Sequence, residues 1–538
     1  MSNGHSHHWA SPWPIRAVIN ICGYLLFFHL IACSLASAGA SDDDADVRWK
    51  RQFEGAVRWS SLGVVDDSGK TDNAEALNAL PVDKPIIADC PHGGFVSFEG
   101  VWFWRSGLTV WQQPGCYLKS TITTPGIYPI TIPGENAAKS PISNVQYYGM
   151  NFGFITPTSQ VRVMQVWIDH FKFEHFMIDG SGGFAFIRGS DQEIAYGTMK
   201  NTLTPPGNPG IRHFGNVPLV PTSPGMPANV WIHHNNLQAG DAAFQACQPG
   251  SNPKTWFYNT STDGLLYEDD VGSSASSALI LVNEPVTPAA ATNYSCSNVT
   301  FKNVSGSGTW YAIVSAGNDN SVTSNIVIDG GAYDGGRSPN PIASIGVGEV
   351  TYGGATSTAR NTANVTLKNL KMTNVYNQAV RAIGNVRGFT LANSTIGMPR
   401  TSALPLVELQ GTTGSAILNN GLTTLGNDAI AAGTSPGPSN VTAQLRIIGN
   451  TVGGVRDARC GIRLKNVNAG VVQRNVIMPA ASTTRAVGIS LAANPDGTTN
   501  STVTGNTVNA MTHSPPILCA IHQGDVVSGN TGASDCAR

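Results

Sequence analysis

The chain has 538 residues, which is enough for one large domain or several smaller ones, and its formal net charge is −2. Charged residues make up only 12% of the sequence, against about 25% in an average soluble protein, so a helical bundle rich in Lys and Glu is disfavoured. The near-neutral charge also offers no basic surface for a nucleic acid, and none is predicted as a partner.

The first 40 residues have the pattern of an export signal. Arg16 precedes the apolar run from Ala17 to Leu35, and small residues between 36 and 40 offer two cleavage sites. The run is also just long enough for an uncleaved membrane anchor. Its Leu-Ile-Ala-Cys end resembles a lipoprotein box, in which Cys33 would be lipidated. We therefore predict an exported protein that is periplasmic, outer-membrane-anchored or extracellular, with membrane attachment only through a lipidated Cys33 or an uncleaved signal.

Residues 41–128 are predicted to form an N-terminal cap region with an aromatic cluster. Trp102, Trp104 and Trp111 fall within one short stretch of it. Exposed indole rings stack well against sugar rings, so Trp102 is a candidate substrate-binding residue, and burial inside the cap is the other interpretation.

Residues 129–538 alternate two kinds of short strand, with long loops predicted at 189–228 and 246–263. Strands of the first kind end in Asn or Gly, as in NVTFKN from residue 298. Strands of the second kind carry a small residue followed by an apolar one, as in YAIV from residue 311. The order holds about ten times at a spacing of roughly 24 to 39 residues, a period typical of solenoids or propellers. Strands so short bury a core only when each coil stacks on the next.

The Asn-ended repeats resemble those of right-handed parallel β-helix proteins, and a segment before them resembles the N-terminal cap of the pectate-lyase-like superfamily. That cap has a G-x-x-x-D-G-x-T-D turn followed by a short helix, for which Ala74–Leu80 is the candidate here. The turn residues of this sequence are Gly63, Asp67, Gly69, Thr71 and Asp72. Ser68 departs from the pattern, because it separates the Asp and Gly that the family has adjacent.

The resemblance implies an all-β fold, a right-handed single-stranded parallel β-helix with a small N-terminal cap. It also implies activity on carbohydrate. The superfamily includes lyases, hydrolases, epimerases and non-catalytic tail proteins, so the fold does not fix the reaction.

Alternation along the second-kind strands predicts a column of outward-facing side chains, if Phe244, Leu279 and Ile313 face inward. The predicted outward column is Gln245, Ile280, Val314, Gly346, Arg381, Glu408, Ala431, Arg463, Ser490 and His522. Arg381 and Glu408 are then neighbours on adjacent coils. A surface ion pair worth less than about 1 kcal/mol is one interpretation of them, and a catalytic role for Arg381 is the other.

The polar segment Val230–Cys247 is the strongest candidate for a catalytic centre. It contains His233, His234 and Asp241 among apolar and small residues. Polygalacturonase-like relatives have Gly-Asp-Asp at such a turn, whereas this chain has Gly-Asp-Ala and lacks the second carboxylate. We predict that Asn236 is a structural ladder residue, whose amide bonds the next coil.

A hydrolase reaction at Asp241 requires a second carboxyl group from another coil. Inverting hydrolases hold their two carboxyls about 6.5–9.5 Å apart. The candidates are Asp179 in the coils before Asp241, and Glu268, Asp269 and Asp270 after it.

A lyase reaction requires a base and a cation to neutralise a uronate carboxylate. The histidines could be the base, and the candidate cations are Arg381, Arg188, Lys254 and Arg212. No cofactor is predicted as resident; a calcium-assisted version would use the oxygens of Asp269 and Asp270. Nearby His and carboxylate residues are otherwise poorly placed for a metal, since strand geometry spreads them over both faces.

Seven cysteines follow the signal, a number consistent with disulfides in an exported protein. The plausible local pairs are Cys90–Cys116, Cys247–Cys296 and Cys519–Cys536, which leaves Cys460 unpaired.

The leading hypothesis is an exported β-helix protein that cleaves a polysaccharide by hydrolysis or β-elimination. Its candidate catalytic residues are Asp241, His233, His234, Glu268, Asp269, Asp270 and Arg381. Its candidate substrate-binding residues are Gln245, Arg188, Arg212 and Trp102. The alternative is a non-catalytic glycan-binding or cell-envelope structural protein.

Overall fold

The chain folds into a right-handed parallel β-helix, seen in a computed structural model. The described residues are 53, 55–133, 141–200, 210–213, 229–240, 242–247, 262–274, 278–283, 295–316, 322–335, 343–352, 355–356, 361–398, 402–425, 427–433, 440–481, 483, 485–491, 497–509, 517–519 and 524–532. The predicted signal, Asp241, Lys254, His522 and Cys536 lie outside them. In the described part, no helix has the length and apolar character needed to cross a membrane.

Each coil contributes up to three strands, and strands of successive coils pair in parallel to form three columns. The first column consists of Val57–Arg58, Ile86–Ala88, Thr109–Gln112, Ile142–Tyr148, the end of Asn151–Glu174, Gln192–Ala195, Val230–His233, Thr262–Glu268, Ser295–Lys302, Val322–Asp329, Thr362–Lys368, Thr390–Ala392, Ala416–Leu418, Arg446–Ile448, Val471–Gln473, Thr502–Thr504 and Val526–Ser528.

The second column follows the first after one tight turn. It consists of Phe95–Phe98, Tyr117–Ser120, the beginnings of Asn151–Glu174 and Met177–Arg188, Thr198–Lys200, Asn236–Ala239, Val271–Ser274, Ser305–Ser307, Ala332–Asp334, Lys371–Thr373, Thr395–Met398, Gly421–Thr424, Thr451–Val455, Val476–Pro479 and Thr507–Val508.

The third column completes the coil. It consists of Trp102–Phe103, Ile130–Thr131, the middle of Asn151–Glu174, the end of Met177–Arg188, Ile211–His213, Phe244–Ala246, Ala278–Val282, Trp310–Val314, Ile345–Gly348, Val380–Ile383, Val407–Gln410, Ile430–Ala432, Cys460–Leu464, Val487–Leu491 and Ile517–Cys519. The remaining described elements are the strand pairs Thr351–Tyr352 with Ala355–Thr356 and Thr442–Ala443 with Val467–Asn468, a 3-10 helix at Trp59–Leu62 and an α-helix at Ala74–Asn78.

The two kinds of strand in the sequence correspond to the first and third columns, which confirms the predicted fold. The second column is absent from the prediction. Its strands are short and often polar or glycine-containing, as in Ser305–Ser307, so they lack an apolar signature. Strands also occur inside the loop predicted at 189–228, and the coils begin at Val57, within the region predicted as a cap.

The interior is a continuous apolar core that extends along the whole stack of coils. Aromatic side chains fill its N-terminal end. Trp102 is 1% exposed and packs edge-on against Trp104 and Tyr147. The prediction that Trp102 stacks against sugar is therefore wrong, and the interpretation of a buried cap aromatic is the correct one.

The cap turn closes on itself as the resemblance implies. Asp67 accepts hydrogen bonds from the Thr71 hydroxyl (2.6 Å) and from two main-chain amides. Ser68 adopts a left-handed backbone with φ 60°, which accommodates the residue that departs from the family pattern. The α-helix that follows, Ala74–Asn78, is two residues shorter than predicted.

A ladder of asparagines, buried except for the last one, stabilises the turn between the first and second columns in the C-terminal coils. The oxygen of the first accepts from the main-chain amide of Ser394, and each later oxygen accepts from the main-chain amide and side chain of the asparagine one coil earlier, at 2.9–3.0 Å. The ladder residues are Asn420, Asn450, Asn475, Asn506 and Asn530. In the coil with the predicted ladder residue Asn236, it is Asn235 that occupies this buried position, whereas Asn236 is exposed.

The described cysteines agree with the prediction. Cys90–Cys116 and Cys247–Cys296 form disulfides, and Cys460 is a buried free thiol. Cys519–Cys536 stays a prediction.

Candidate functional site

The outer surface of the first column carries a concentration of charged and aromatic side chains in its N-terminal half. Strand alternation places one set of side chains in the core and the next outside. In Val230–His233, Ile232 is buried in the core while Trp231 faces solvent. Neighbouring coils add charged residues in register. We call this surface the Trp231 face; it comprises Lys172, Glu174, Glu193, Trp231, His233, His234, Glu268 and Lys302.

Glu193 lies at the centre of an ion-pair network on this face. Its carboxylate contacts Lys172 Nζ at 2.8 Å and His233 Nε2 at 3.5 Å, and Lys172 also contacts Glu174 at 2.9 Å. The His233 contact, together with Lys172 and against partial burial, lowers the pKa of Glu193 to about 2. Glu193 is therefore ionised at neutral pH and cannot act there as an acid.

Trp231 and His233 stack on each other on the same side of the strand. Their ring centroids are 3.7 Å apart, and the indole leaves His233 only 2% exposed while it remains 39% exposed itself. The indole nitrogen donates to Glu268 Oε2 at 3.1 Å, and Glu268 is also paired with Lys302. The indole therefore keeps a surface open to solvent, while stacking with His233 and the hydrogen bond to Glu268 fix its position.

His234 extends the network to the surface. It follows the strand in a left-handed turn, φ 56°, and its side chain is 45% exposed. The Nδ1 atoms of His233 and His234 lie 2.9 Å apart. One of these nitrogens must donate and the other accept, so the two rings share one proton. Glu193, His233 and His234 thus form a chain of close polar contacts from a carboxylate to an exposed imidazole.

The corresponding turn one coil later places Asp269 at the surface and Asp270 in the interior. Asp269 is exposed and accepts from Asn303, whereas Asp270 is fully buried and accepts two hydrogen bonds from Asn235. Burial raises the pKa of Asp270 well above its ordinary value. Asp270 therefore substitutes for a ladder asparagine, and the prediction that it is catalytic is wrong.

The predicted calcium version fails for the same reason, because neighbouring side chains on opposite sides of the backbone cannot share one ion. Within the described residues, no group of three or more His, Cys, Asp or Glu could hold a metal ion.

The third column has the predicted Arg381–Glu408 neighbours, with Arg381 Nε 3.5 Å from Glu408 Oε2. The pair lies on a different column and four coils beyond Trp231, so it does not join the Trp231 face. A second pair that the sequence reasoning missed, Arg463 with buried Asp428 at 2.8 Å, lies further along.

In two coils, the outward-facing residues predicted for the third-column strands are wrong by one position. Phe244 pairs with Ile280, and Ile280 with Ala312. Ile280 and Val314, predicted to face outward, lie in the main core. Leu281 and Ile313 occupy the outward positions, where they form a small second apolar cluster.

The remaining predicted site residues lie apart from the Trp231 face or outside the described residues. Gln245 is fully buried, and Arg188 is buried with its guanidinium 5.8 Å from the Trp167 ring centroid. Neither offers a surface to a ligand in this conformation, so both substrate-binding predictions are wrong. Arg212 lies in a third-column strand, but its side chain, like Asp241 and Lys254, is outside the described part.

Sequence reasoning missed Lys172, Glu193 and Trp231. All three occupy outward positions of first-column strands, so applying to those strands the alternation used for the third column would have found them.

Comparison with known proteins gives similarity in structure alone. No family model matches the chain, and no curated protein matches it. A tailspike protein mutant of E. coli bacteriophage HK620, solved in complex with a pentasaccharide, is 10% identical with a TM-score of 0.51, over 89% of this chain and 78% of that one. An exopolygalacturonase from Thermotoga maritima is 12% identical with a TM-score of 0.46, over 68% and 91%. The A-module of an Azotobacter vinelandii mannuronan C-5 epimerase is 14% identical with a TM-score of 0.37, over 84% and 100%.

Proposed function

We propose that the protein is an exported carbohydrate-active enzyme that binds a polysaccharide across the Trp231 face and cleaves it. The observation that carries the proposal is the chain from Glu193 through His233 to His234, which ends at an exposed imidazole beside an exposed indole. Indole surfaces stack against sugar rings, and an imidazole oriented by a second group is a suitable general acid or base.

In this proposal His234 transfers the proton. The Glu193 carboxylate favours the tautomer of His233 that carries its hydrogen on Nε2, which leaves Nδ1 to accept a hydrogen bond from Nδ1 of His234 and hold that ring. In hydrolysis His234 would take a proton from the attacking water as the glycosidic C–O bond breaks, and solvent water would protonate the leaving oxygen. In β-elimination it would remove the proton next to a uronate carboxylate, which Lys172 could neutralise; a C–C double bond then forms as the neighbouring C–O bond breaks, and the leaving oxygen takes a proton from solvent water. Glu268 would act as a positioning residue that fixes Trp231.

A panel of neutral and uronic-acid polysaccharides tests the reaction. Ultraviolet absorbance from an unsaturated product identifies elimination, and new reducing ends without that absorbance identify hydrolysis. We expect Trp231→Ala to raise KM about ten-fold, because its contact is made with bound substrate before the reaction as well as during it. Glu193→Gln should lower kcat and alter the pH profile. Asp329→Asn is the matched control, since Asp329 occupies the same column in an ion pair with Lys368 (3.0 Å), three coils beyond the strand that carries Trp231.

The second candidate is a non-catalytic glycan-binding protein. It is favoured by the cations that pair with both nearby carboxylates, Lys172 with Glu193 and Lys302 with Glu268. Binding without cleavage across the whole panel would support this candidate and contradict the enzyme. Export is supported by the two disulfides, which persist in oxidising compartments.

A further inference from the structure

A groove of about 550 Å³ lies on the outer surface of the second column, near the N-terminal end of the helix. Its volume is in the range of small-molecule sites. The groove belongs to a different column from the Trp231 face, and binding in it does not require cleavage at that face.

The groove exists because one coil lacks a side chain. Gly153 pairs with Lys119 on the preceding coil and with Asp179 on the following coil, so the three residues occupy one outward row. Coils are spaced by about 4.8 Å, which separates the strands of Lys119 and Asp179 by about 9.6 Å. A Cβ built on Gly153 would meet only the Asp179 main-chain oxygen, at 3.4 Å. The space above Gly153 is therefore open.

The groove combines an aromatic surface with one positively and one negatively charged side chain. Tyr117 is 42% exposed, and Lys119 lies over the Phe95 ring with its Nζ 4.4 Å from the centroid. Asn151 and Asp179 also line the groove. A lysine and a carboxylate on opposite sides give little net charge, and together they supply a donor and acceptors.

We propose that this groove binds a neutral sugar residue of a saccharide chain. A pyranose offers an apolar ring face for Tyr117 and hydroxyl groups that both donate to Asp179 and accept from Lys119. Because the charges of Lys119 and Asp179 offset each other, the groove has no net positive charge to select a uronate over a neutral sugar. The site would anchor a chain on a second face of the helix.

The test is calorimetric titration of the full chain with hexasaccharides of glucose, mannose, galactose and galacturonate. The titrations use His234→Ala protein, which lacks the proposed proton-transfer group, so that cleavage of the probes is slowed. We expect at least one neutral hexasaccharide to bind, and Gly153→Leu to weaken that binding at least ten-fold. Gly397→Leu is the matched control, because Gly397 lies in the same column and row and has no atom within 4 Å of its Cβ position.

Each outcome decides the proposal. Neutral binding that Gly153→Leu removes and Gly397→Leu spares supports it, and should Gly153→Leu not fold, Tyr117→Ala gives the same comparison. Absence of neutral binding overturns it, as does equal loss in both glycine variants or preferential binding of galacturonate. Binding that Trp231→Ala removes and Gly153→Leu spares also overturns it and assigns the saccharide to the Trp231 face.

Discussion

The turn after the first column is constructed differently in the two halves of the β-helix. Toward the C-terminus, from residue 420 onward, an asparagine recurs at this position in five coils, buried in four of them, and satisfies its neighbours. In the N-terminal half the corresponding positions differ in every coil. They are Phe176, Gly197, Asn235, Asp270 and Val304. Repetition gives the C-terminal coils a ready partner for each buried polar group, whereas each N-terminal coil must satisfy its own.

The outward-facing side chains of the first column also differ between these two regions. In the coils after residue 390, most of the first-column positions that carry Glu193, His233 and Glu268 in the N-terminal half carry small, hydroxyl or aliphatic side chains, as in Ala392 and Leu418. Arg446 and Gln473 are the exceptions. The C-terminal coils with the asparagine ladder thus contribute stability, and the N-terminal coils carry the charged and imidazole side chains of the candidate site.

The largest effect is expected at the irregular end, on activity. His234→Ala should lower kcat by about 100-fold or more, because general acid–base catalysis contributes about 10²–10⁴-fold. Steady-state kinetics on the substrate identified by the polysaccharide panel measures it. The control Asp329→Asn should retain full activity, and a fully active His234→Ala protein would refute the role of the imidazole.

The next effect is expected at the regular end, on stability. Asn450→Ala removes the acceptor for Asn420 and the donors to Ile417 O and Asn475. Leaving such buried groups without partners should cost about 3 kcal/mol, measured as a lower midpoint of denaturant unfolding. The exposed Asn468→Ala should cost less than about 1 kcal/mol. Equal costs for the two variants would show that the ladder has no special role.

Replacing Asp270 by asparagine, the residue of the C-terminal ladder, should stabilise the protein at neutral pH. Because the pKa of Asp270 is raised in the fold, the folded state must bury a carboxylate at high pH. That contribution to stability is fully present below about pH 4 and is lost as pH rises through the folded pKa. Asp270→Asn should remove this loss and raise Tm at pH 7, since an amide there can donate to the carbonyl of Ile232 as Asn450 donates to that of Ile417. A lower Tm at pH 7 would contradict this.

The smallest effect is expected for the third-column ion pair. Arg381 and Glu408 are partly exposed, so Arg381→Ala should change the free energy of unfolding by less than about 1 kcal/mol. Activity should not change, because the pair lies away from the Trp231 face. Loss of turnover in this variant would mean that the active surface is on the third column instead.

Much of the fold could be predicted because it depends on local patterns. The cap turn around Asp67, the disulfide partners and two strand columns all follow from neighbouring residues or short repeats. The inward and outward residues of Ala278–Val282 and Trp310–Val314 were predicted wrongly, because every residue of both strands is buried. A strand covered on both faces shows no alternation from which its inward side can be identified.

The candidate site was less predictable because it depends on contacts between coils. Asp270 and Asp269 are adjacent acids in the sequence, and only the turn shows that one is internal. Glu193 and His233 are 40 positions apart in the numbering, and only strand register brings their side chains together.

The Cys247–Cys296 disulfide has a consequence for where the protein becomes fully stable. It joins chain segments 49 residues apart and encloses the entire coil that carries Glu268, Asp269 and Asp270. Closing a chain of that length restricts the unfolded state by about 4 kcal/mol in the loop-entropy model. Under reducing conditions this coil would lose that contribution and be held only by its core packing and by strand pairing with its neighbours, so its stability depends on the redox state of its surroundings.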